Sequence, residues 1–318
     1  MDKKTKLAWL KRYSETNAVS GFEAPMKELL QERLAGKAEV SYDKLGSVVF
    51  TNASADENAP KIMLASHMDE IGFMVKHITK EGFLKFVCLG GWWEQVMLGQ
   101  RVTVHGSKGD LVGVIGSKPP HILTPEERTK VVQKRDMYID IGVKDEKEAR
   151  KFGVFEGCPV TPYAEMAVMA DGKTLLGKAW DNRIGCAMMA ELLQTVTNPE
   201  ITLYGVGSVE EEVGLRGAQT SAEHIKPDVL IVLDTAVAGD VPGIDNIKYP
   251  LKLGQGPGLM LFDKRYFPIQ KLVAALKSCA AHNDLPLQFS TMKTGATDGG
   301  RYNVMGGGRP VVALCLPT

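Results

Sequence analysis

The sequence predicts an α/β protein in which a mixed central sheet carries helices on both faces and is interrupted by a small β-barrel-like insert. Apolar runs alternate with amphipathic segments near both ends of the chain, a pattern typical of a sheet covered by helices. The middle of the chain instead has short β-like runs separated by turns,. Because 318 residues are many for one hydrophobic core,, we expect a discontinuous domain over 1–72 and 163–318 and an insert over 73–162.

The first part of the chain predicts two helices and then strands. Residues 3–13 have helical spacing, and Ser20 to Glu23 matches a capping box that would begin a second helix,. Strands are expected at 40–42 and 47–51,. The apolar run 61–65 fits a buried strand,.

The insert is predicted from four β-like runs, at 83–88, 100–104, 111–115 and 137–141,. Helical periodicity is weak between them. Residues 118–128 are rich in proline and charge and predict a polar loop,. A small barrel is the expected arrangement.

Alternation of helices and strands returns after the insert. The predicted helices and strands, in chain order, are 184–196, 201–206, 219–225, 229–233, 268–282 and 310–316,. Residues 297–300 have no periodicity and predict a loop,.

Composition excludes several classes of function. Lys plus Arg and Asp plus Glu both number 38, so the balance favours neither nucleic acid nor an anionic membrane as a partner. The N-terminus has no secretory pattern, and no apolar run is long enough to span a bilayer,. The five cysteines are scattered and form no CxxC, which indicates buried thiols in a reducing cytoplasm.

Metal-competent side chains lie at the ends of the predicted elements: His67, Asp69, Asp181, Glu211, Glu212 and Asp234. Ligands bind beyond the carboxyl ends of strands in open α/β sheets, so these side chains can converge. Imidazole and carboxylate donors suit zinc, cobalt or manganese. With two ions, Asp181 is a candidate bridge, and Glu211 and Glu212 can divide the tasks of base and ligand. Asp69 is placed to orient the ring of His67.

Each of these features also has an ordinary structural interpretation. His67 alone could be a surface histidine. The run Glu210 to Glu212 could be a solvated acidic turn, and Asp181 and Asp234 could be helix caps. Their common position at element ends favours the metal site.

Four motifs resemble those of the glutamyl, deblocking and tetrahedral aminopeptidases, a family of co-catalytic dinuclear metallopeptidases with some members labelled endoglucanases. The motifs are Ser66–Phe73, Gly177–Arg183, Glu210–Ala218 and Gly295–Gly300. The resemblance covers essentially the whole chain. It implies a zinc-peptidase-like catalytic domain that removes N-terminal residues from short peptides. It also implies that the insert is a dimerisation domain, that dimers form a tetrahedral dodecamer, and that the loop at His121 lies near a neighbouring active site.

The resemblance further implies roles for individual residues. One metal would be held by His67, Asp181 and Asp234, and Asp181 would bridge to a second metal that also binds Glu212. Glu211 would be the general base, Asp69 would orient the histidine, and the Asp181–Asn182 peptide bond would be cis. The substrate pocket would be lined by Thr297, Asp298 and Gly299, for which a plain turn is the alternative.

The sequence departs from the family pattern in two places. The pattern continues after Pro317-Thr318 with Arg-Tyr-Ile-His, whose histidine would be the last ligand of the second metal. If the chain ended at Thr318, it would be a catalytically weak or inactive assembly or binding protein; an endoglucanase that uses Glu211 is a third hypothesis. Asn182 stands where relatives often have Asp, and Ala296 where they often have Gly.

Overall fold

The computed structural model describes residues 1–318. The helices are α1 Lys3–Glu15, α2 Ala24–Arg33, α3 Pro125–Arg128, α4 Glu146–Lys151, α5 Trp180–Thr195, α6 Arg216–Ile225, α7 Gln270–His282 and α8 Gly299–Val304. The strands up to the middle of the chain are β1 Glu39–Tyr42, β2 Val48–Asn52, β3 Lys61–His67, β4 Gly72–Ile78, β5 Leu84–Leu89, β6 Arg101–Gly106, β7 Gly109–Gly116 and β8 Tyr138–Asp140. The remaining strands are β9 Pro159–Pro162, β10 Ala167–Val168, β11 Leu175–Leu176, β12 Thr202–Ser208, β13 Val229–Ala236, β14 Gly258–Phe262, β15 Gln288–Thr291 and β16 Val311–Pro317.

Contacts divide the chain into two compact units. Residues 1–16, 23–69 and 179–318 form the sheet unit, and residues 17–22 and 70–178 form the barrel unit. None of the helices is long and apolar enough to cross a membrane.

The sheet unit is built on one eight-stranded sheet with the order β1-β2-β12-β3-β13-β16-β14-β15. Its central strands β12, β3, β13 and β16 are parallel to their neighbours in this group. The edges are antiparallel where β2 meets β1 and β12 and where β14 meets β16. The central strands are almost wholly buried, as expected for strands covered on both faces. The predicted mixed α/β sheet is confirmed.

The barrel unit contains a closed barrel with the strand order β4-β5-β8-β7-β6-β9. Its core is apolar and includes Phe73, Ile78, Val102 and Ile139. Trp92 stacks on Phe73 with ring centroids 4.5 Å apart, so this tryptophan packs in the barrel. The prediction of a small barrel is confirmed.

Several local predictions are wrong. Helix α2 begins only at Ala24, with Glu23 as its N-cap residue and no side-chain hydrogen bond at that cap. The Glu23 carboxylate accepts the backbone N–H of Glu210 at 3.0 Å. The segment 297–300 is not all loop, since α8 begins at Gly299. The polar loop at 118–128 contains a short 3-10 turn and α3, whose N-terminus is capped by Thr124.

Six strands and two thiols also differ from the predictions. The sequence patterns predict no strand at β4, β9, β10, β11, β14 or β15. Of these, β14 and β15 pair with each other across the intervening α7. Cys279 is exposed and Cys88 only partly buried, whereas the other three cysteines are buried. The expectation of five buried thiols therefore fails on these two.

Candidate metal centre

The predicted ligands reach one edge of the sheet because their strands run parallel. Strand β3 ends at His67, which lies opposite Ser208 at the end of β12. The chain then turns at Glu211 and Glu212, three and four residues beyond the end of β12. Strand β13 is parallel to β3 and carries Asp234 near its carboxyl end. The carboxyl ends of parallel strands share an edge, and this geometry gathers side chains from distant parts of the sequence.

His67 lies at the centre of the cluster and is 2% exposed. Its Nε2 is 3.0 Å from Asp181 Oδ1 and 3.9 Å from Asp234 Oδ1. Its Nδ1 lies 3.0 Å from the backbone carbonyl oxygen of Asp69 and 3.4 Å from that residue's carboxylate. The nearer acceptor is the carbonyl, so Asp69 orients the ring chiefly through its backbone, with Nδ1–H donating. This orientation turns Nε2 towards Asp181 and Asp234, where loss of its proton would make it a ligand atom for a metal,.

Two overlapping groups of side chains have ligand geometry. His67, Asp181 and Glu212 form one group, and His67, Glu211 and Asp234 form the other; within each, the ligand atoms lie within 4.8 Å of one another. The structure therefore brings together every predicted ligand. It also places Glu211, the predicted base, within ligand reach of two of them.

The start of helix α5, which carries Asp181, is held in place by buried residues. The Asp181–Asn182 peptide bond is cis, as the family resemblance implies. Asp181 projects outward, with its side chain 58% exposed, whereas Asn182 and Arg183 behind it are fully buried. The Arg183 guanidinium donates to the carbonyls of Tyr13 and Thr16 at 3.1 and 2.6 Å, which anchors this segment to the end of α1.

Neighbouring negative charge dominates the electrostatics of His67. Burial opposes the charged imidazolium, but the Glu211, Asp181 and Asp69 carboxylates outweigh burial and hold the pKa of His67 well above its ordinary value. The surrounding acids thus favour the charged form of the His67 imidazole.

The carboxyl groups show the converse effect. Burial, reinforced by adjacent carboxylates and opposed by His67, raises the pKa of Glu211 and of Asp234 well above the ordinary range. The same influences raise the pKa of Glu212 to about 7. Buried carboxylates are costly to charge without a cation nearby. A donor set of one imidazole and several crowded carboxylates therefore fits divalent cations, which would offset this charge.

Asp298 is a further acid beside the cluster. It is 1% exposed, its Oδ2 accepts the Ser208 hydroxyl at 2.6 Å, and its Oδ1 is buried without a hydrogen-bond partner. Burial raises its pKa to about 6, although His67 and the Ser208 bond oppose the shift. Ser208 escaped sequence analysis, although its position at a strand end was a usable signal.

The other two predicted pocket residues form the turn that presents Asp298. Thr297 donates its backbone N–H and its hydroxyl to Asp263, each at 3.1 Å. Gly299 donates its N–H to the Thr297 hydroxyl at 3.2 Å. Both residues are buried, so their polar groups are occupied within the turn.

The chain is similar to known peptidases over nearly its full length. Residues 46–318 match the profile of the M42 glutamyl aminopeptidases. The protein FrvX of Escherichia coli K12 is 66% identical over 311 residues, which cover 97% of this chain and 86% of that protein. The glutamyl aminopeptidase of Lactococcus lactis is 37% identical over 96% of this chain and 86% of its own length.

Solved structures show the same fold. A TET aminopeptidase from a marine-sediment archaeon of the Thaumarchaeota has a TM-score of 0.95 and 44% identity, over 99% of this chain and 88% of that one. The TET1 peptidase of Pyrococcus horikoshii, which can assemble into a tetrahedron or a large octahedral shell, has a TM-score of 0.87 and 28% identity, over 98% and 90% of the two chains.

Proposed function

Because the chain belongs to the M42 glutamyl aminopeptidase family, we propose that it removes N-terminal residues from short peptides at a centre of two divalent metal ions, with Glu211 as general base. Membership of this family makes the protein a peptidase. The observation that carries the finer proposal is the convergence of His67 with two different pairs of carboxylates at one sheet edge.

The proposed ligand sets follow from the distances around His67. His67, Asp181 and Asp234 would hold one ion, supported by the 3.0 and 3.9 Å separations from Nε2. Asp181 would also contact the second ion together with Glu212, which shares a ligand group with it. When bound, two such ions supply Lewis acidity to a water molecule and to a peptide carbonyl. Zinc or cobalt is the expected metal, with manganese as an alternative.

Glu211 is assigned as the base and Glu212 as the ligand. Glu211 would take the proton of the attacking water and deliver it to the amine of the departing peptide. Burial among acids keeps its pKa well above the ordinary range, which favours the proton-bound form that a general base must reach during turnover. Glu212 is the better ligand because it lies with Asp181, the proposed bridge.

The proposal extends to the surroundings of the site. The turn formed by Thr297, Asp298 and Gly299 would border the substrate pocket, since Asp298 acts electrostatically on Glu211 and Asp234. The protein would act in the cytoplasm, where its five unpaired thiols would stay reduced,.

Metal dependence and turnover test the function together. The protein is stripped with a chelator, reloaded with Co²⁺, Zn²⁺ or Mn²⁺, and assayed with aminoacyl-anilides and short peptides. We expect release of single N-terminal residues only after reloading. Bound metal without turnover would favour a binding or assembly protein, and cellulose cleavage that survives chelation would favour a glycoside hydrolase.

Self-association is the second part of the proposal. The TET1 peptidase with this fold forms closed shells, and we propose that this chain forms dimers through its barrel unit and a tetrahedral dodecamer from them. Sedimentation velocity should show a dodecamer. A monomer at micromolar concentration would contradict this part of the proposal without affecting the metal site.

A further inference from the structure

The chain segments that carry three of the proposed ligands meet at one buried residue, Asn182. Its side chain is fully buried, and its Nδ2 donates to the backbone carbonyl of Leu233 at 2.9 Å. Its own backbone carbonyl accepts the hydroxyl of Ser66 at 3.3 Å. Leu233 and Ser66 immediately precede two proposed ligands, and Asn182 itself follows the third. One residue therefore bonds the chain next to His67, Asp181 and Asp234.

Close packing leaves no room for this junction to shift. A Cβ at Gly185 would lie 2.2 Å from Asn182 Oδ1, and 2.5 Å from both the Leu233 carbonyl oxygen and the Ser66 hydroxyl. The same three groups thus press against the one position in α5 that lacks a side chain. Cys186 adds another tie, since its thiol donates to the carbonyl of His67 at 3.2 Å. Packing at this density converts small displacements into large energetic costs.

An amide is suited to this position for a chemical reason. The Leu233 carbonyl needs a donor, and a buried carbonyl without one is costly. Asn182 supplies an N–H without adding charge to a cluster already crowded with Glu211, Glu212 and Asp234. An apolar side chain would leave the carbonyl unpaired.

We infer that Asn182 is a positioning residue that holds His67, Asp181 and Asp234 at ligand distance by tying their three segments together. This inference rests on the proposed function, because it concerns the same metal centre. Asn182 would thus set the distances between the metal ligands without itself contacting the substrate.

The test compares two amides that make the same kind of bond. Asn182→Ala removes the bond at the junction. Asn52→Ala is the matched control, because Asn52 Nδ2 donates to the carbonyl of Leu193 at 2.7 Å in the same unit, beside no proposed ligand. The readouts are the dissociation constant for Co²⁺, the visible absorption spectrum of the bound ion, and the separate values of kcat and KM.

We expect Asn182→Ala to weaken Co²⁺ binding by about tenfold or more, as loss of a residue that orients ligands does. Its Co²⁺ spectrum should change and kcat should fall by a similar factor, whereas KM stays within about threefold. Asn52→Ala should keep the wild-type metal affinity and spectrum even where its thermal stability falls. Equal metal affinity and spectra for the two variants and the wild type would overturn the inference.

A milder variant keeps the test decisive if Asn182→Ala does not fold. Ser66→Ala removes only the hydroxyl that bonds the Asn182 carbonyl, and it should weaken Co²⁺ binding and alter the spectrum in the same direction. Unchanged values for Ser66→Ala would then overturn the inference. A wild-type protein that binds no Co²⁺ at all would instead overturn the proposed function, which separates the two failures.

Discussion

The carboxylate of Asp69 accepts the backbone N–H of Glu211 at 3.1 Å, so a residue beyond β3 fixes the proposed base beyond β12. The other carboxylate oxygen accepts the N–H of Glu212 at 3.1 Å, and the Asp69 carbonyl oxygen faces His67. Asp69 is fully buried. It therefore organises the two glutamates and the histidine at once.

Asp69→Asn should lower kcat by about 10- to 100-fold while both metal ions remain bound. The asparagine amide would turn an N–H group towards one of the two backbone donors, which shifts the glutamates. Asp43→Asn is the control, because Asp43 accepts the backbone N–H groups of residues 45–47 elsewhere in the same unit. Steady-state kinetics measures kcat, and elemental analysis measures the metal content of each variant. Equal losses of kcat in both variants would contradict the specific role of Asp69.

Glu211→Gln should lower kcat by about 10²- to 10⁴-fold, the usual contribution of a general acid–base. Metal content should stay at the wild-type value, because Gln keeps the size of the side chain and Glu212 supplies the second ligand. Glu210→Gln is the neighbouring control, since Glu210 pairs with Arg216 and belongs to neither ligand group. If Glu211→Gln loses one metal equivalent, Glu211 is a ligand and the assignment of the two glutamates is reversed.

Asp181→Asn and Asp234→Asn should differ in metal stoichiometry. A shared bridge serves both ions, so Asp181→Asn should lose both, whereas Asp234→Asn should lose chiefly one. Elemental analysis after dialysis measures this difference, with the exposed Glu223→Gln as control. Loss of both ions from the Asp234 variant alone would place the bridge at Asp234.

The pH dependence of stability should invert when metal binds. In the metal-free fold the pKa of Glu212 is raised to about 7 and that of Asp298 to about 6. The stability due to a raised pKa is complete below the ordinary carboxyl pKa and is lost as pH rises through the folded-state value. These groups should therefore destabilise the metal-free protein progressively up to about pH 7.

Metal competes with those protons, so its affinity and the stabilisation it gives should increase over the same interval. Melting temperatures between pH 5 and pH 8, with chelator and with Zn²⁺, measure both trends. Glu212→Gln should flatten the decline in the metal-free series. If the melting temperature of metal-free Glu212→Gln falls with pH as steeply as that of the wild type, Glu212 is not the group whose titration destabilises the metal-free protein.

Lys178→Met should lower the free energy of unfolding by about 3–5 kcal/mol, because it removes the cation that offsets the charge of the buried Glu70 carboxylate. Lys178 Nζ lies 2.7 and 2.8 Å from the two carboxylate oxygens of Glu70, and the two side chains are 6% and 2% exposed. Denaturant unfolding measures the loss, and adding Glu70→Gln should recover part of it.

The matched control is Arg150→Met, which breaks an exposed ion pair with Glu156 in the same unit. Exposed pairs contribute at most about 1 kcal/mol. A loss for Lys178→Met no larger than for Arg150→Met would show that burial does not govern this pair.

Much of the site could be predicted, because its residues lie at the ends of helices and strands that short sequence patterns indicate. His67 ends an apolar strand, Asp234 lies near the end of another, and Asp181 lies in the first turn of a helix. The hydrogen bond between the Glu23 carboxylate and the N–H of Glu210 could not be predicted, because the two residues are distant in the chain. Strands β14 and β15 were missed because their pairing is likewise remote.

The sequence alone determined most of the central helices and strands, the barrel insert and the chemistry of the ligands, because hydrophobic periodicity and residue type are properties of short segments. Only the tertiary structure decided that Asp69 holds Glu211 and Glu212 by their backbones, that Asp298 lies buried beside them, and that Asn182 joins three ligand segments. These relationships are hydrogen bonds between groups far apart in the chain. They exist only once parallel strands bring their carboxyl ends to one edge.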